Sequence, residues 1–373
     1  MTEFFPFAME RWQSTYENRV EYNLSESGVH PMSLRELLVL SGRQDFEDVL
    51  LGYGQSNGSD LLRARIAAMY RNAAEDNVVA TNGSAEANFI AVWQLVQPGD
   101  EVAIIVPTYM QTYGLAQNFG VKVREIWLHE EAGWQPDPDE INAAITDRTK
   151  LIIVTNPNNP TGAILSPASR AAIVSAAQRV GAWIIADEVY SGAEVNGPET
   201  PSFFDEYDRV IATGSLSKAY GLPGLRVGWA IAPRDLSPKL WSRKDYMTIS
   251  PGELTDQLAT VALDPAVRPR ILERTRGFLQ TGLSVMEEWF SQSDIFTYTP
   301  PGAGAICYAR YSLGVNSSEL AERLRVQHSV LIVPGDHFAM DGYVRIGYGL
   351  EEAPLKRALA GFSECLNSLA QTA

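Results

Sequence analysis

One repeating pattern constrains the fold of this chain more than any other feature. Between residues 76 and 232, short β-branched apolar runs alternate with longer amphipathic stretches. Such alternation predicts a mostly parallel sheet with helices on both faces, because parallel strands are buried on both sides. The predicted strands number seven and cover residues 77–81, 102–106, 121–128, 151–155, 183–186, 210–213 and 227–231. Residues 85–95 and 167–180 are the clearest of the intervening helices.

The pattern changes after residue 235 and predicts a smaller α+β domain. Its predicted helices cover residues 239–248, 254–262, 268–291, 318–327 and 353–369, and its predicted strands cover 296–310, 330–333 and 343–347. The first 45 residues hold no sheet of their own, so we expect them to pack on this smaller part or on a partner chain. We therefore predict a large domain over 46–265, and a small domain made of 1–45 together with 266–373.

Composition excludes several classes of function. The chain has 30 Lys and Arg against 45 Asp and Glu, a formal charge of −15, which argues against binding nucleic acid or an anionic membrane. Two cysteines and four histidines without paired spacing predict neither a disulfide scaffold nor a metal site. There is no signal-peptide pattern and no membrane-length apolar run, so we expect a cytoplasmic enzyme.

Polar residues follow three of the predicted strands directly. Residues 156–162 read NPNNPTG, Asp187 and Tyr190 follow the strand at 183–186, and Lys218 follows the strand at 210–213. Taken singly, these would be a turn, a helix cap and a surface lysine. Because ligands bind beyond the carboxyl ends of parallel strands, together they predict one site with an amide, a carboxylate, a phenol and an amine.

This set of groups suits pyridoxal 5′-phosphate. The aldehyde of that cofactor needs a lysine amine, and its pyridine nitrogen needs a carboxylate. Its phosphate needs a helix N-terminus, hydroxyl groups and an arginine. The sequence therefore predicts pyridoxal 5′-phosphate as the cofactor.

At these residues the chain resembles the fold-type I pyridoxal-phosphate enzymes, specifically the class I and II aminotransferases. The motifs that carry the resemblance are NPNNPTG (156–162), ADEVY (186–190), SLSKAYGLPGLRVGW (215–229) and VRIGYG (344–349). Weaker matches are YGQSNGSDLLRARI (53–66), GSAEA (83–87) and PTY (107–109). The resemblance implies the fold-type I architecture for the two predicted domains.

The resemblance also implies roles for residues around the cofactor ring. Lys218 forms the Schiff base and then moves the proton between the substrate Cα and the cofactor. Asp187 pairs with the pyridine nitrogen, and Asn159 and Tyr190 bind the phenolic oxygen. Tyr109 stacks on the ring. Lys218, Asp187 and Tyr190 are the predicted catalytic residues.

Further residues are implied to bind the phosphate and the substrate. Backbone N–H groups of Ser84 and Ala85 hold the phosphate together with Ser215, Ser217 and Arg226. Arg345 binds the substrate α-carboxylate, with Asn159 and Gly28 also on the substrate side. Tyr53 reaches the phosphate of the other subunit, which implies a homodimer with shared active sites.

Several stretches are similar to a narrower branch, the capreomycidine synthases. These stretches include SESGVH (25–30), which lies over the substrate in the family, and VLIVPGDHF (330–338). We expect that branch to lack the DEVY motif, whereas this chain keeps it at 187–190. The retained motif favours transamination over cyclisation.

The leading hypothesis is therefore an aminotransferase that moves an amino group from an L-amino acid to a 2-oxo acid, with ping-pong kinetics through a Lys218 aldimine. The alternative is a cyclase, lyase or oxidase acting on an arginine-derived amino acid. A DNA-binding regulator would need a basic recognition helix, which the first 45 residues do not contain. A Rossmann dehydrogenase would need a GxGxxG motif after the first strand, and none is present.

Overall fold

The computed structural model describes residues 4–43 and 46–370, without the side chain of residue 370. The described part of the first segment of the chain holds two helices and one short strand. It contains α1 (Ala8–Tyr16), β1 (Tyr22–Asn23) and α2 (Leu34–Ser41). Strand β1 pairs in parallel with residues 330–331 of the smaller part.

The described residues of the larger part form one sheet of eight strands. They are β2 (Val78–Thr81), β3 (Glu101–Val106), β4 (Lys122–His129), β5 (Gln135–Pro136), β6 (Thr149–Thr155), β7 (Trp183–Asp187), β8 (Val210–Ser215) and β9 (Gly228–Ile231). Their spatial order is β2-β9-β8-β7-β6-β3-β4-β5. Seven of these strands are the predicted ones, and the two-residue β5 extends the sheet at one edge.

The central strands are parallel. Strand β9 runs antiparallel to both of its neighbours, β8 and β2, and the short β5 runs antiparallel to β4. Side chains alternate between the two faces, as strand geometry requires. On β6, for example, Ile152 and Val154 pack into one buried cluster, and Leu151 and Ile153 into another. The mostly parallel α/β fold expected from the apolar runs is confirmed.

Helices cover both faces of this sheet. They are α3 (Asp60–Ala67), α4 (Ser84–Leu95), α5 (Gln111–Asn118), α6 (Pro138–Ala144), α7 (Pro167–Val180), α8 (Ser237–Lys244) and α9 (Glu253–Ala262). Helix α7 begins where the sequence predicts, because the Ser166 side chain accepts a hydrogen bond from the Ser169 N–H and Pro167 occupies the first turn.

Helix α8 is shorter than the predicted helix over 239–248. It ends at Lys244, whose buried ammonium donates to the backbone carbonyls of Ser56 and Ile249. Ile249 itself has a positive φ of 64°. The chain therefore turns back on the lysine instead of continuing as a helix.

The smaller part begins with the long helix α10 (Arg268–Phe290). It continues with β10 (Phe296–Tyr298), β11 (Ile306–Tyr311), α11 (Ser317–His328), β12 (Val330–Leu331), β13 (Val333–Pro334), β14 (Tyr343–Gly347) and α12 (Glu352–Ala370). Four of these strands form an antiparallel sheet in the order β10-β11-β14-β13, and β12 pairs with β1. The domain boundaries at residues 45/46 and 265/266 stay a prediction.

Among the described residues, no helix is long and apolar enough to cross a membrane. The same residues contain no group of three or more His, Cys, Asp or Glu side chains arranged to hold a metal ion.

Candidate active site

A cavity of about 530 Å³ lies where the polar strand ends meet. The large sheet contributes Thr155 at the end of β6 and Asp187 at the end of β7, and Lys218 follows β8. The N-terminal segment and β14 form the opposite wall. Among the described residues, a wider groove of about 660 Å³ lies elsewhere and contains none of the predicted site residues.

Lys218 forms an ion pair with Glu26 inside this cavity. The Ser27 and Gly28 N–H groups also donate to Glu26 Oε1, at 2.8 and 3.1 Å. Burial opposes the charge on Glu26, but the Lys218 ammonium and these N–H groups lower the pKa of its carboxyl to about 2. Burial likewise opposes the charge on Lys218, and the negative Glu26 raises the pKa of its amine. Both groups are therefore charged at neutral pH.

Asp187 is buried and held by a relay of side chains. Asn88 Nδ2 donates to Asp187 Oδ2 at 2.8 Å, and the Thr213 hydroxyl donates to Asn88 Oδ1 at 2.8 Å. Burial raises the pKa of Asp187, although the bonds from Asn88 and the Val189 N–H oppose that rise. A cationic partner in the cavity would stabilise the charged carboxylate.

Tyr190 and Asn159 lie beside Arg345. The Tyr190 hydroxyl donates to Ser27 Oγ at 2.8 Å. Arg345 donates to Asn159 Oδ1 at 2.8 Å and to the Ser25 carbonyl. Burial raises the pKa of Tyr190 against the opposing positive charges of Lys218 and Arg345.

Arg345 lacks the partner that a buried guanidinium needs. It is 1% exposed, and its Nε atom has no hydrogen-bond partner. Among the described residues, no carboxylate forms an ion pair with it, and burial lowers its pKa. Buried cations are normally paired, so this arrangement is suited to bind a carboxylate that enters the cavity.

The N-terminus of α4 lies at another wall of the cavity and is a candidate anion site. The helix begins after Gly83 with no side-chain cap, so its first N–H groups, at Ser84 and Ala85, are not satisfied by a capping side chain. Gly83 has a φ of 80°, and a Cβ there would lie 2.4 Å from the Arg226 guanidinium. The absence of that Cβ lets the arginine lie against the helix N-terminus, which favours an anion such as a phosphate.

The structure brings most of the predicted site residues together. Those that line the cavity are Ser84, Ala85, Tyr109, Asn159, Asp187, Tyr190, Ser217, Lys218, Arg226 and Arg345. Gly28 lies against Lys218, because a Cβ on it would approach Lys218 Cδ to 3.4 Å. Ser215 lines a neighbouring cavity instead, and its Oγ accepts a hydrogen bond from the Ser217 N–H at 3.2 Å.

Tyr53 lies outside the cavity of its own chain. Its side chain is 93% exposed, and its backbone forms an isolated bridge with Gly252. Its predicted contact with a phosphate therefore requires a second copy of the chain, as the resemblance implies.

The N-terminal segment supplies site residues that the sequence reasoning missed. Glu10, Gln13 and Glu17 line the cavity beside Glu26 and Ser27. Glu10, Gln13 and Glu17 are spaced i, i+3 and i+7, so they lie on one face of α1 and of its C-terminal cap residue. This row of polar residues could have indicated that α1 contributes to a site. The sequence did not indicate which part of the molecule that face of the helix would contact.

Known proteins with similar sequences and structures agree on one family. The family model described as aminotransferase class I and II matches residues 41–362. A capreomycidine synthase from Streptomyces vinaceus is 34% identical, over 97% of this chain and 94% of its own. A PLP-dependent aminotransferase from Streptococcus suis superimposes with a TM-score of 0.93 at 32% identity, covering 98% and 99%. A PLP-dependent cyclase superimposes with a TM-score of 0.90 at 25% identity, covering 100% and 98%.

Proposed function

Because this chain belongs to the class I and II aminotransferases and uses pyridoxal 5′-phosphate, we propose that it moves an amino group from an L-amino acid to a 2-oxo acid. The observation that carries the proposal is the position of Lys218 in one cavity with Asp187, Tyr190, Asn159 and the unpaired Arg345. The fold is that of the fold-type I enzymes of this family.

The residues of the cavity fit the cofactor at each of its polar ends. We propose that Ser84, Ala85, Ser217 and Arg226 bind the phosphate at the uncapped N-terminus of α4. Asp187 would pair with the ring nitrogen, because its buried carboxylate needs a positive partner. Bound there, pyridoxal phosphate supplies an aldehyde for the amine and a ring that withdraws electrons from the substrate Cα.

Lys218 and Arg345 would then act on the substrate. Arg345 would bind the α-carboxylate through two parallel hydrogen bonds and fix the orientation of the Cα–H bond. Once the substrate has released the Lys218 amine, its Nζ would remove the proton from the substrate Cα and transfer it to the cofactor. Tyr109 would cover the ring, since its side chain lines the cavity and packs edge-on against Phe7 at 5.1 Å between ring centroids.

Charges in the cavity support an amino acid with a cationic side chain as the substrate. The phosphate would neutralise Arg226, the protonated ring nitrogen would neutralise Asp187, and the substrate α-carboxylate would neutralise Arg345. The carboxylate of Glu26 is paired with Lys218. The two remaining carboxylates are Glu10 and Glu17. Burial and the nearby charges of Glu26 and Glu10 raise the pKa of Glu17. A substrate cation would relieve that repulsion.

A second candidate is a cyclase, lyase or oxidase acting on an arginine-derived amino acid. The same carboxylates support it, because they suit a guanidinium group, and two of the similar proteins are a capreomycidine synthase and a PLP-dependent cyclase. Lys218, Asp187 and Arg345 would have the same roles in either reaction.

A single-turnover experiment separates the two reactions. The cofactor-loaded protein is mixed with L-arginine, L-lysine or the uncharged L-norleucine, with no 2-oxo acid present. We expect about one equivalent of 2-oxo acid per site, with further turnover only after a 2-oxo acid is added. Continued product formation without an acceptor, or a cyclised product, would overturn transamination in favour of the second candidate.

A pair of matched variants tests the choice of substrate. Glu17→Gln should lower the preference for L-arginine over L-norleucine by about tenfold, since a charged hydrogen bond contributes about 1.5–3 kcal/mol. Glu21→Gln removes an exposed carboxylate of the same segment and should leave the preference unchanged. Equal preferences in all three proteins would contradict the assignment of a cationic substrate.

We also propose a homodimer with shared active sites. The exposed Tyr53 lines a surface groove together with the exposed Leu50, and Leu51 next to it in sequence is also exposed. Such side chains clustered on a surface are typical of an interface. Sedimentation velocity should give a dimer, and Leu51→Lys should weaken it; a monomer at all concentrations would refute the proposal.

A further inference from the structure

Glu26 is placed to influence the reacting nitrogen of Lys218 directly. It lies in the segment 24–30, which crosses the cavity opposite the large sheet. Hydrogen bonds at both ends fix this segment to the chain around β14. The Gly347 N–H donates to the Leu24 carbonyl, and the His30 N–H donates to the Gly349 carbonyl, each at 2.6 Å.

The carboxylate of Glu26 is held rigidly within this segment. The Ser27 and Gly28 N–H groups donate to the same oxygen that contacts Lys218. Gly28 also packs against the lysine, and a Cβ on it would lie 3.3 Å from the Ser217 carbonyl oxygen. The contact between Glu26 and Lys218 is thus determined by the backbone, unlike an ion pair between two mobile surface side chains.

The other charged and titratable groups around Lys218 do not replace this contact. Tyr190 donates its hydroxyl to Ser27, and Arg345 is positive and opposes the charge on the lysine. Asp187 and Glu17 affect Lys218 through their charge alone, because neither forms a hydrogen bond or an ion pair with it among the described residues. Glu26 is the anion in contact with Nζ.

We propose that Glu26 is the counter-ion of the Lys218 nitrogen, in the cofactor-free protein and in the linkage to the cofactor, and keeps that nitrogen protonated at neutral pH in both. The Lys218 amine that a bound substrate releases is neutral and acts as the base. The inference rests on the proposed role of Lys218. A protonated linkage is the form that the neutral amine of a substrate attacks most readily. Glu26 is therefore a positioning residue that acts through Lys218 and prepares it for the incoming amino acid.

The test is a pH titration of the visible absorption of the cofactor-loaded protein, without substrate. Glu26→Gln should lower the pKa of the Lys218 linkage by about one unit, since an adjacent opposite charge shifts a pKa by about 1–3 units and the cavity is partly open to solvent. Glu26→Asp should keep most of the wild-type value, because it keeps the charge.

Glu17→Gln is the matched control, because it removes a carboxylate of the same cavity that, among the described residues, forms no hydrogen bond or ion pair with Lys218. An unchanged pKa in Glu26→Gln, or equal shifts in Glu26→Gln and Glu17→Gln, would overturn the counter-ion role. If Glu26→Gln does not retain cofactor, the pKa of the Lys218 amine is measured in the apo-protein by NMR of 13C-labelled lysine. In the apo-protein, too, Glu26→Gln should lower the pKa of the Lys218 amine, and an unchanged pKa would overturn the proposal.

Lys218→Ala separates this inference from the proposed function. If that variant still shows the protonated absorption band, Lys218 does not hold the cofactor and the proposed function fails. If the band is lost with Lys218→Ala and its titration is unaltered in Glu26→Gln, only the counter-ion role fails.

Discussion

At the scale of single residues, Arg345 shows how an unsatisfied group indicates a ligand. A guanidinium at 1% exposure with an unpartnered Nε costs folding free energy unless an anion compensates it. Its contacts to Asn159 and Ser25 fix its orientation but supply no negative charge. Binding of a substrate carboxylate would offset the unfavourable free energy of burying this unpaired guanidinium.

Replacing this residue should affect substrate and cofactor differently. Arg345→Met should raise KM for the donor amino acid about 10- to 100-fold, because a charged hydrogen bond contributes about 1.5–3 kcal/mol. Cofactor affinity, measured by equilibrium dialysis, should change little. Arg345→Lys keeps the positive charge but lacks the planar guanidinium, so its KM should lie between that of the wild type and that of Arg345→Met. Equal losses of substrate and cofactor affinity would contradict the assigned role.

At the scale of secondary structure, the sequence predicts elements well and their mutual contacts poorly. The apolar runs predicted for the large sheet lie within one or two residues of its strands, and Lys218 follows β8 as expected. The single strand predicted over 296–310 is instead two strands, β10 and β11, separated by residues 299–305. Glu26 was missed as a site residue because its contact with Lys218 spans 192 positions. The predicted helix over 239–248 was too long because local propensity does not reveal the carbonyl groups that bind Lys244.

The N-terminus of α4 gives a prediction at this scale. Gly83→Ala would place a Cβ 2.4 Å from the Arg226 guanidinium, at a φ of 80°. We expect cofactor affinity to fall about tenfold or more as Arg226 is displaced from the anion site.

Gly99→Ala is the matched control for this variant. Gly99 has a φ of 90°, with no atom within 4 Å of the added Cβ. Both variants place a Cβ at a positive φ, and they differ in the contact with Arg226. Dialysis should therefore separate them, and equal cofactor affinities would argue against a phosphate at α4.

At the scale of the whole molecule, Glu188 links stability to pH. It follows Asp187 but accepts hydrogen bonds from the Ser202 hydroxyl and the Phe203 N–H, at 3.0 and 2.8 Å. Burial raises the pKa of this carboxyl from 4.5 to about 8. Between these values the folded state binds more protons than the unfolded state, so stability falls as the pH rises.

Glu188→Gln should remove this dependence, because glutamine keeps an acceptor oxygen for both bonds without a charge. The free energy of unfolding of the variant, relative to that of the wild type, should rise from pH 5 to pH 8 by up to about 1.4 kcal/mol per pKa unit of the shift. Denaturant titrations over this range measure it, and pH 5 is the internal control. A difference that does not vary with pH would contradict the prediction.

The central claim is that the cavity at the strand ends holds pyridoxal phosphate on Lys218. Borohydride reduction of the cofactor-loaded protein, followed by peptide mass spectrometry, tests it most directly. We expect the added cofactor mass on the peptide containing Lys218 alone, and no added mass in Lys218→Ala. Labelling of another lysine, or unchanged labelling of Lys218→Ala, would refute the assignment of Lys218 as the residue that holds the cofactor.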